Sequence, residues 1–356
     1  MSGTERDLLV FNLATDDDDP ILGFAAVWVR ALAARCQRVD VITMRAGRFE
    51  SPANVRLFSV GKERGYGEAR RGLEFYRILG RLVRETRYSA CFAHMMPLFA
   101  LMASPVLKTR RIPITLWYAH GSTSRRLWAT EKVVDRVVTS TEHGFRLPSK
   151  KLVVVGQGIA TDVMTPGAEE RGDSPPVIAS MGRVSPVKRI DIFLDAIAEL
   201  AASHPDVVAR VVGPVADPEH QATLEDRARR LGIDDRVTWV GAVPPANMVD
   251  EYRRSDVVVN VSETGSLDKT ALEAMSCGVP VVTSSSAVAS VVGAIDRSLV
   301  VEPTPASVAG ACGHVLDLPA LERRELGRRL RATVEERHGL DGLISTLMDR
   351  GIAWRN

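Results

Sequence analysis

Short apolar runs rich in β-branched residues alternate along this chain with stretches of helical spacing, and the alternation stops near residue 167 and starts again. In the first half the runs fall at 8–13, 39–43, 55–60, 90–94, 112–118, 136–140 and 152–155. A helix over 20–35, opened by Pro20, follows the first of them. Several runs are apolar throughout, as strands are when helices cover both faces of a parallel sheet. After Gly156-Gln157-Gly158-Ile159-Ala160 the chain passes Thr165-Pro166-Gly167 and a polar stretch to Pro176, a linker by composition. Strands are then expected at 177–181, 207–212, 237–240, 257–261 and 279–283, with helices starting near Val187, Pro218, Ala246 and Lys269. Strand, helix, strand order makes a parallel sheet with crossover helices, so the pattern predicts two doubly wound α/β domains, 1–166 and 167–338. Two such domains face each other across a cleft, and open α/β sheets bind ligands beyond the carboxyl ends of their strands. Functional residues are therefore expected just after strands.

Composition narrows the function. The 356 residues exceed what one core usually supports. With 46 basic and 44 acidic residues interspersed, a net charge of +2 gives no field of one sign, which argues against a nucleic-acid partner. Cys36, Cys91, Cys277 and Cys312 form no CxxC pair, so neither a zinc ribbon nor a disulfide scaffold is expected. The uncharged stretch 91–107 contains His94, Pro97, Ser104 and Pro105, too short and too broken for a membrane span. It reads as a buried strand entering a buried helix. The N-terminus lacks a signal peptide's cleavage pattern, and a cytoplasmic protein is expected.

Two constellations in the second half carry chemistry. Met181-Gly182-Arg183-Val184-Ser185-Pro186-Val187-Lys188 puts two cations at a strand-to-helix turn. Gly182 admits a close approach of backbone to ligand, and Arg183 and Lys188 suit a diphosphate. Surface cations in weak ion pairs are the alternative. The second runs from Asn260 through Ser262, Gly265, Ser266, Leu267, Asp268 and Lys269 to Glu273 and on to Gly278-Val279-Pro280. A polar loop opens a short helix there, whose free N–H groups favour an anion. Glu273, set among apolar residues, needs partners: ribose hydroxyls or a buried ion pair.

Gly-Arg-x-x-x-x-Lys, Gly213 after a strand, Val240-Gly241-Ala242-Val243, and Leu-Glu-Ala-Met-x-x-Gly-x-Pro-Val-Val together resemble the retaining family-4 glycosyltransferases of GT-B fold. Leu116-Trp117-Tyr118-Ala119-His120-Gly121 fits the same pattern in the first half. The resemblance implies that Arg183 and Lys188 hold the diphosphate of a nucleoside-diphosphate sugar, Glu273 the ribose, and the backbone of Ala242 and Val243 the base. It implies that Gly182 and Gly213 give the backbone room, that Gly265, Ser266 and Leu267 cradle phosphate and sugar with Lys269 adding a cation, and that Gly23 lets the first helix approach the diphosphate. His120 would meet the transferred sugar, the acceptor would be a hydroxyl of unknown class, and residues 339–356 would form a helix crossing back to the first domain, its loss destabilising both halves. Fixed cations at the leaving group make a metal and any cofactor unnecessary. A nucleotide-sugar epimerase or phosphorylase on the same architecture, or a non-catalytic binding protein, are the other classes: an epimerase converts donor without acceptor, a binding protein does not turn over.

The chain departs from the family at Gly265, where a glutamate is common, with Glu263 a candidate substitute, and at Ala160, where aspartate is common. Other features read blandly. Asp16 to Asp19 is expected as a solvated loop. Gly156-x-Gly158 lacks the following helix of a dinucleotide site. His94 is expected as a satisfied core histidine. The helix over 68–87, with Leu73, Tyr76, Leu79, Leu82 and Val83 at helical spacing and many arginines, is expected to pack on the core, with peripheral contact to an anionic membrane as the second reading.

Overall fold

The computed structural model describes residues 6–168, 174–262 and 267–355. The chain divides into two compact units, Met1–Gly156 with Asp341–Asn356, and Gln157–Leu340. The division falls after Gly156 rather than after residue 166, because Ile159 N–H donates to the His338 carbonyl and Leu340 N–H to the Ile159 carbonyl, both at 2.8 Å. Those bonds tie the start of the linker to the second unit.

In the first unit seven strands, β1 (Asp7–Thr15), β2 (Arg38–Ala46), β3 (Val55–Ser59), β4 (Ala90–His94), β5 (Ile114–Trp117), β6 (Arg136–Thr139) and β7 (Leu152–Val154), form one parallel sheet in the order β3-β2-β1-β4-β5-β6-β7. Its helices are α1 (Phe24–Ala33), α2 (Glu68–Glu85), α3 (Pro97–Thr109) and α4 (Arg125–Val133). β4 is buried along its whole length and α3 buries Phe99, Ala100, Ala103 and Leu107, so the apolar stretch at 91–107 is core. No helix among the described residues is long and apolar enough to cross a membrane. On α2 the buried stripe is Phe75, Ile78, Leu79, Leu82 and Val83. Leu73 and Tyr76, expected on that stripe, lie outside it, and Leu73 is 73% exposed. The step from 75 to 78, 79 and 82 keeps to one helical face, whereas 73 and 76 fall beside it.

In the second unit β8 (Val177–Met181), β9 (Val208–Val212), β10 (Val237–Gly241), β11 (Val257–Asn260) and β12 (Val281–Thr283) form a parallel sheet in the order β10-β9-β8-β11-β12. The helices are α5 (Ile190–Leu200), α6 (Pro218–Leu231), α7 (Met248–Arg253), α8 (Lys269–Ser276), α9 (Ser286–Val292), α10 (Pro305–Asp317) and α11 (Ala320–His338). A helix expected near Val187 starts only at Ile190, because a 3-10 turn over Pro186–Lys188 is followed by Arg189 with φ 49°. Strand order reverses between β8 and β11, the place where doubly wound sheets open a crevice at their carboxyl ends. α12 (Leu340–Thr346) leads the C-terminal segment back onto the first unit.

Candidate functional site

The loops leaving β8, β9 and β10 are joined laterally. Gly182 N–H donates to the Val212 carbonyl at 2.8 Å, Gly213 N–H to the Gly241 carbonyl at 2.9 Å, and Val184 N–H to the Pro214 carbonyl at 3.0 Å. Gly213 has φ 148°, and a Cβ there would lie 2.0 Å from the Gly182 oxygen, so only glycine lets these two strand ends meet. Gly182 has φ 116°, and its missing Cβ leaves the path taken by Lys188, whose Cε would be 3.1 Å from it.

Lys188 crosses that bare backbone to pair with Asp268, the N-cap of α8. The two side chains are 16% and 10% exposed. The same Oδ2 accepts from Asn260 Nδ2 at 2.9 Å, while Oδ1 accepts from the Thr270 hydroxyl at 3.0 Å and its N–H at 3.3 Å. Burial pushes the Asp268 carboxyl up, but the charge and hydrogen bond of Lys188, then Asn260 and Thr270, hold it below its ordinary value. The ends of β8 and β11 and the start of α8 thus meet around one ammonium group at the switch point.

One turn further along α8, Glu273 is buried. Its Oε1 accepts from Lys269 Nζ at 2.5 Å and its Oε2 from the Tyr252 hydroxyl at 2.8 Å. The buried ion pair foreseen as one alternative for Glu273 is therefore present, and Lys269, expected to face phosphate, is engaged with Glu273. Burial foremost, then the charge of Glu273, raises the Tyr252 phenol well above its ordinary value. Arg183 and Ala242 are exposed and Val243 is half-buried. Leu267 packs its side chain into the core of this unit. Glu263, Gly265 and Ser266 lie outside the described residues.

In the first unit His120 is exposed after β5. Its Nδ1 accepts from Ser122 N–H at 3.1 Å, so the neutral ring carries its proton on Nε2. Gly23 is buried at the start of α1 with φ −56°, a conformation open to any residue. Two expectations are corrected. His94 is core but not satisfied: its buried Nε2 has no hydrogen-bond partner among the described residues, since Trp28 stacks on the ring at 4.7 Å and Phe24 meets it edge-on at 5.5 Å. With burial the only cause, its pKa falls to about 3. Asp16 to Asp19 is solvated only in part, since Asp18 is exposed whereas Asp19 is buried. Asp17 pairs with Arg30 at 2.8 Å, Asp18 with Arg48 at 2.7 Å, and Asp19 with Arg45, while Asp19 Oδ1 also accepts from the N–H groups of Ile21 and Leu22, each at 2.9 Å. Among the described residues no cluster of three acidic, histidine or cysteine side chains is placed to hold a metal.

The sequence reading missed Asp268, Asn260 and Tyr252 as partners. Asp268 had a signal, an aspartate directly before a helix start. Asn260 had another, a polar residue ending an apolar strand. Tyr252 had none.

Residues 165–332, all within the second unit, match the sequence model of the family described as glycosyl transferases group 1. The chain is 34% identical over 222 residues to D-inositol 3-phosphate glycosyltransferase 2 of Catenulispora acidiphila, covering 54% of this chain and 51% of that protein. With the D-inositol 3-phosphate glycosyltransferase of Kribbella flavida it shares 28% identity over 297 residues, 72% of this chain and 68% of that one. The match thus spans about half the length of the first of these relatives. Among solved structures, Anabaena HepE in complex with UDP and glucose superposes with a TM-score of 0.75 at 15% identity, over 96% of this chain and 98% of that one. Such a likeness shows the fold: two Rossmann-like parallel-sheet domains of the GT-B class.

Proposed function

We propose that this chain is a retaining, metal-independent glycosyltransferase that moves a sugar from a nucleoside-diphosphate donor to a hydroxyl acceptor. The observation that carries the reading is the convergence of the Gly182 turn, Lys188 and the start of α8 at the β8/β11 switch point, inside the segment that matches the glycosyl transferases group 1. Arg183 and Lys188 take the diphosphate, Glu273 the ribose, the backbone of Ala242 and Val243 the base, and the loop through Gly265, Ser266 and Leu267 the phosphate and sugar. His120 offers its Nε2–H to the transferred sugar, and Gly23 lets the first helix approach the diphosphate. As the glycosidic bond breaks, negative charge grows on the departing diphosphate, and Arg183, Lys188 and the helix start supply positive potential fixed beforehand. An oxygen of the departing phosphate accepts the proton of the incoming hydroxyl on the same face, which retains configuration.

UDP is the first nucleotide to test, because HepE was solved with UDP, and a phosphorylated polyol the first acceptor, because the curated relatives are named for inositol 3-phosphate. Calorimetry of UDP, GDP, ADP and dTDP with wild type and Arg183→Ala, in the presence of EDTA, tests it. Micromolar binding of one nucleotide that weakens ~10-fold in the variant supports the donor site. Binding of none of the four sinks the mechanism. We also propose that the face of α2 carrying Leu73, Tyr76, Arg70, Arg77, Arg81 and Arg84, all exposed, meets an anionic membrane surface.

A further inference from the structure

Lys188 would contact the donor, yet the structure shows its ammonium group already spoken for. A flexible stem of four methylenes ends in a charge that, left free, samples many rotamers, and each must be given up when phosphate binds. Here the stem is laid across Gly182 with no Cβ in its way, and the tip is bonded to a carboxylate that itself accepts three further hydrogen bonds from two residues. Asn260 on β11 donates to that carboxylate, Thr270 on α8 donates twice, and the Thr270 hydroxyl also reaches the Met181 carbonyl on β8 at 3.4 Å. An ammonium has several N–H donors, so one bond to Asp268 fixes direction and leaves donors over.

We propose that Asp268 is the positioning residue for Lys188, holding its Nζ over the Gly182 turn so that its remaining N–H groups meet an oxygen of the donor's diphosphate. The inference rests on the glycosyltransferase reading. Charge compensation follows from the same bond. Before donor arrives the carboxylate compensates the half-buried ammonium, whose remaining N–H groups still point their positive ends at a ligand oxygen.

A double-mutant cycle tests it. Asp268→Asn keeps an N-cap side chain and an acceptor for Thr270 but removes the charge; Asp268→Ser, also a capping residue, serves if the first variant folds poorly. Calorimetry of UDP and UMP is run on wild type, Asp268→Asn, Lys188→Ala and the double variant. Expected is a ~10-fold loss of UDP affinity in Asp268→Asn, a change within ~2-fold for UMP, and no further loss when Asp268→Asn is added to Lys188→Ala. Unchanged or tighter UDP binding in Asp268→Asn overturns the inference, because the carboxylate then merely competes with phosphate. Equal losses with and without Lys188 overturn it too, because the role is then structural. A wild type that binds no nucleoside diphosphate brings down the glycosyltransferase reading and this inference with it, whereas binding that ignores Asp268 brings down this inference alone.

Discussion

The Tyr252 hydroxyl donates to Glu273 Oε2 at 2.8 Å, and both side chains are buried, so a phenol on α7 and a carboxylate on α8 fix each other in the core of the second unit. Tyr252→Phe leaves that oxygen without its neutral donor while Lys269 still holds the other. Hydrogen bonds to buried charged groups are worth about 2 kcal/mol, and that loss is expected in urea unfolding followed at Trp239. Nucleotide affinity is expected to fall with it, since Glu273 loses one of the bonds that aim it. A stability change below ~0.5 kcal/mol would show that the pair contributes nothing net.

Two glycines with left-handed backbone separate conformation from contact. At Gly213 a Cβ would meet the Gly182 carbonyl at 2.0 Å, whereas at Gly232, with φ 68°, nothing lies within 4 Å. Gly232→Ala is expected to cost about 1 kcal/mol, the conformational strain alone. Gly213→Ala is expected to cost at least ~3 kcal/mol, because the joined ends of β8 and β9 must part. Thermal denaturation of both variants checks this. Equal costs would mean that the close approach relaxes freely.

The doubly wound pattern was legible because strands buried on both faces must be apolar throughout, and the turn glycines because only that residue accepts φ beyond +100°. Arg183 and Lys188 were legible as cations placed after a strand. Their partners were not. Which carboxylate meets Lys188 depends on β8 lying beside β11, a pairing that joins residues 80 positions apart. Asp19 shows the same limit: four aspartates in a row look solvated until β2 brings Arg45 alongside and the turn before α1 aims the N–H groups of Ile21 and Leu22 at the carboxylate. His94 shows the reverse case, where aromatic packing from α1 wins over hydrogen bonding.

His94 makes stability depend on pH. Its folded pKa of about 3 lies below the ordinary 6.5, so the unfolded chain takes up a proton first as pH falls. The contribution of the neutral ring is present in full above pH 6.5 and is lost as pH drops toward 3, at up to ~1.4 kcal/mol per pH unit. His94→Phe keeps an aromatic ring stacked on Trp28 and cannot titrate. The difference between wild-type and variant unfolding free energies is expected to be flat above pH 6.5 and to move in favour of the variant below it. A difference that stays constant down to pH 4 would show that the ring is solvated.

On α2, Leu73→Asp removes the most exposed apolar group of the basic face while leaving the buried stripe and the bond from the Tyr76 hydroxyl to the Met102 carbonyl intact. Co-sedimentation with vesicles containing an anionic phospholipid is expected to fall ~10-fold, with melting temperature unchanged. Retention of the variant on the vesicles, or no retention of wild type, would end the membrane proposal.

Removal of residues 341–356 is expected to act on one unit. Ile344, Leu347 and Ile352 are buried, Ala353 N–H donates to the buried Thr115 hydroxyl at 2.8 Å, Arg355 N–H donates to the Ser89 carbonyl at 2.8 Å, and Arg6 lies over the Trp354 ring at 4.5 Å. All of these partners belong to the first unit. Leu340, whose N–H holds Ile159 in the second unit, stays in the shortened chain. Each buried aliphatic side chain contributes about 1.5–3 kcal/mol, so the first unit loses most of a typical domain's margin. Fluorescence separates the units, because Trp28 and Trp117 report on the first and Trp239 on the second. The expected result is early unfolding of the first unit with Trp239 still melting near its wild-type temperature. Equal loss in both, as the sequence alone led us to expect, would mean that the segment stabilises the second unit by a route other than these contacts.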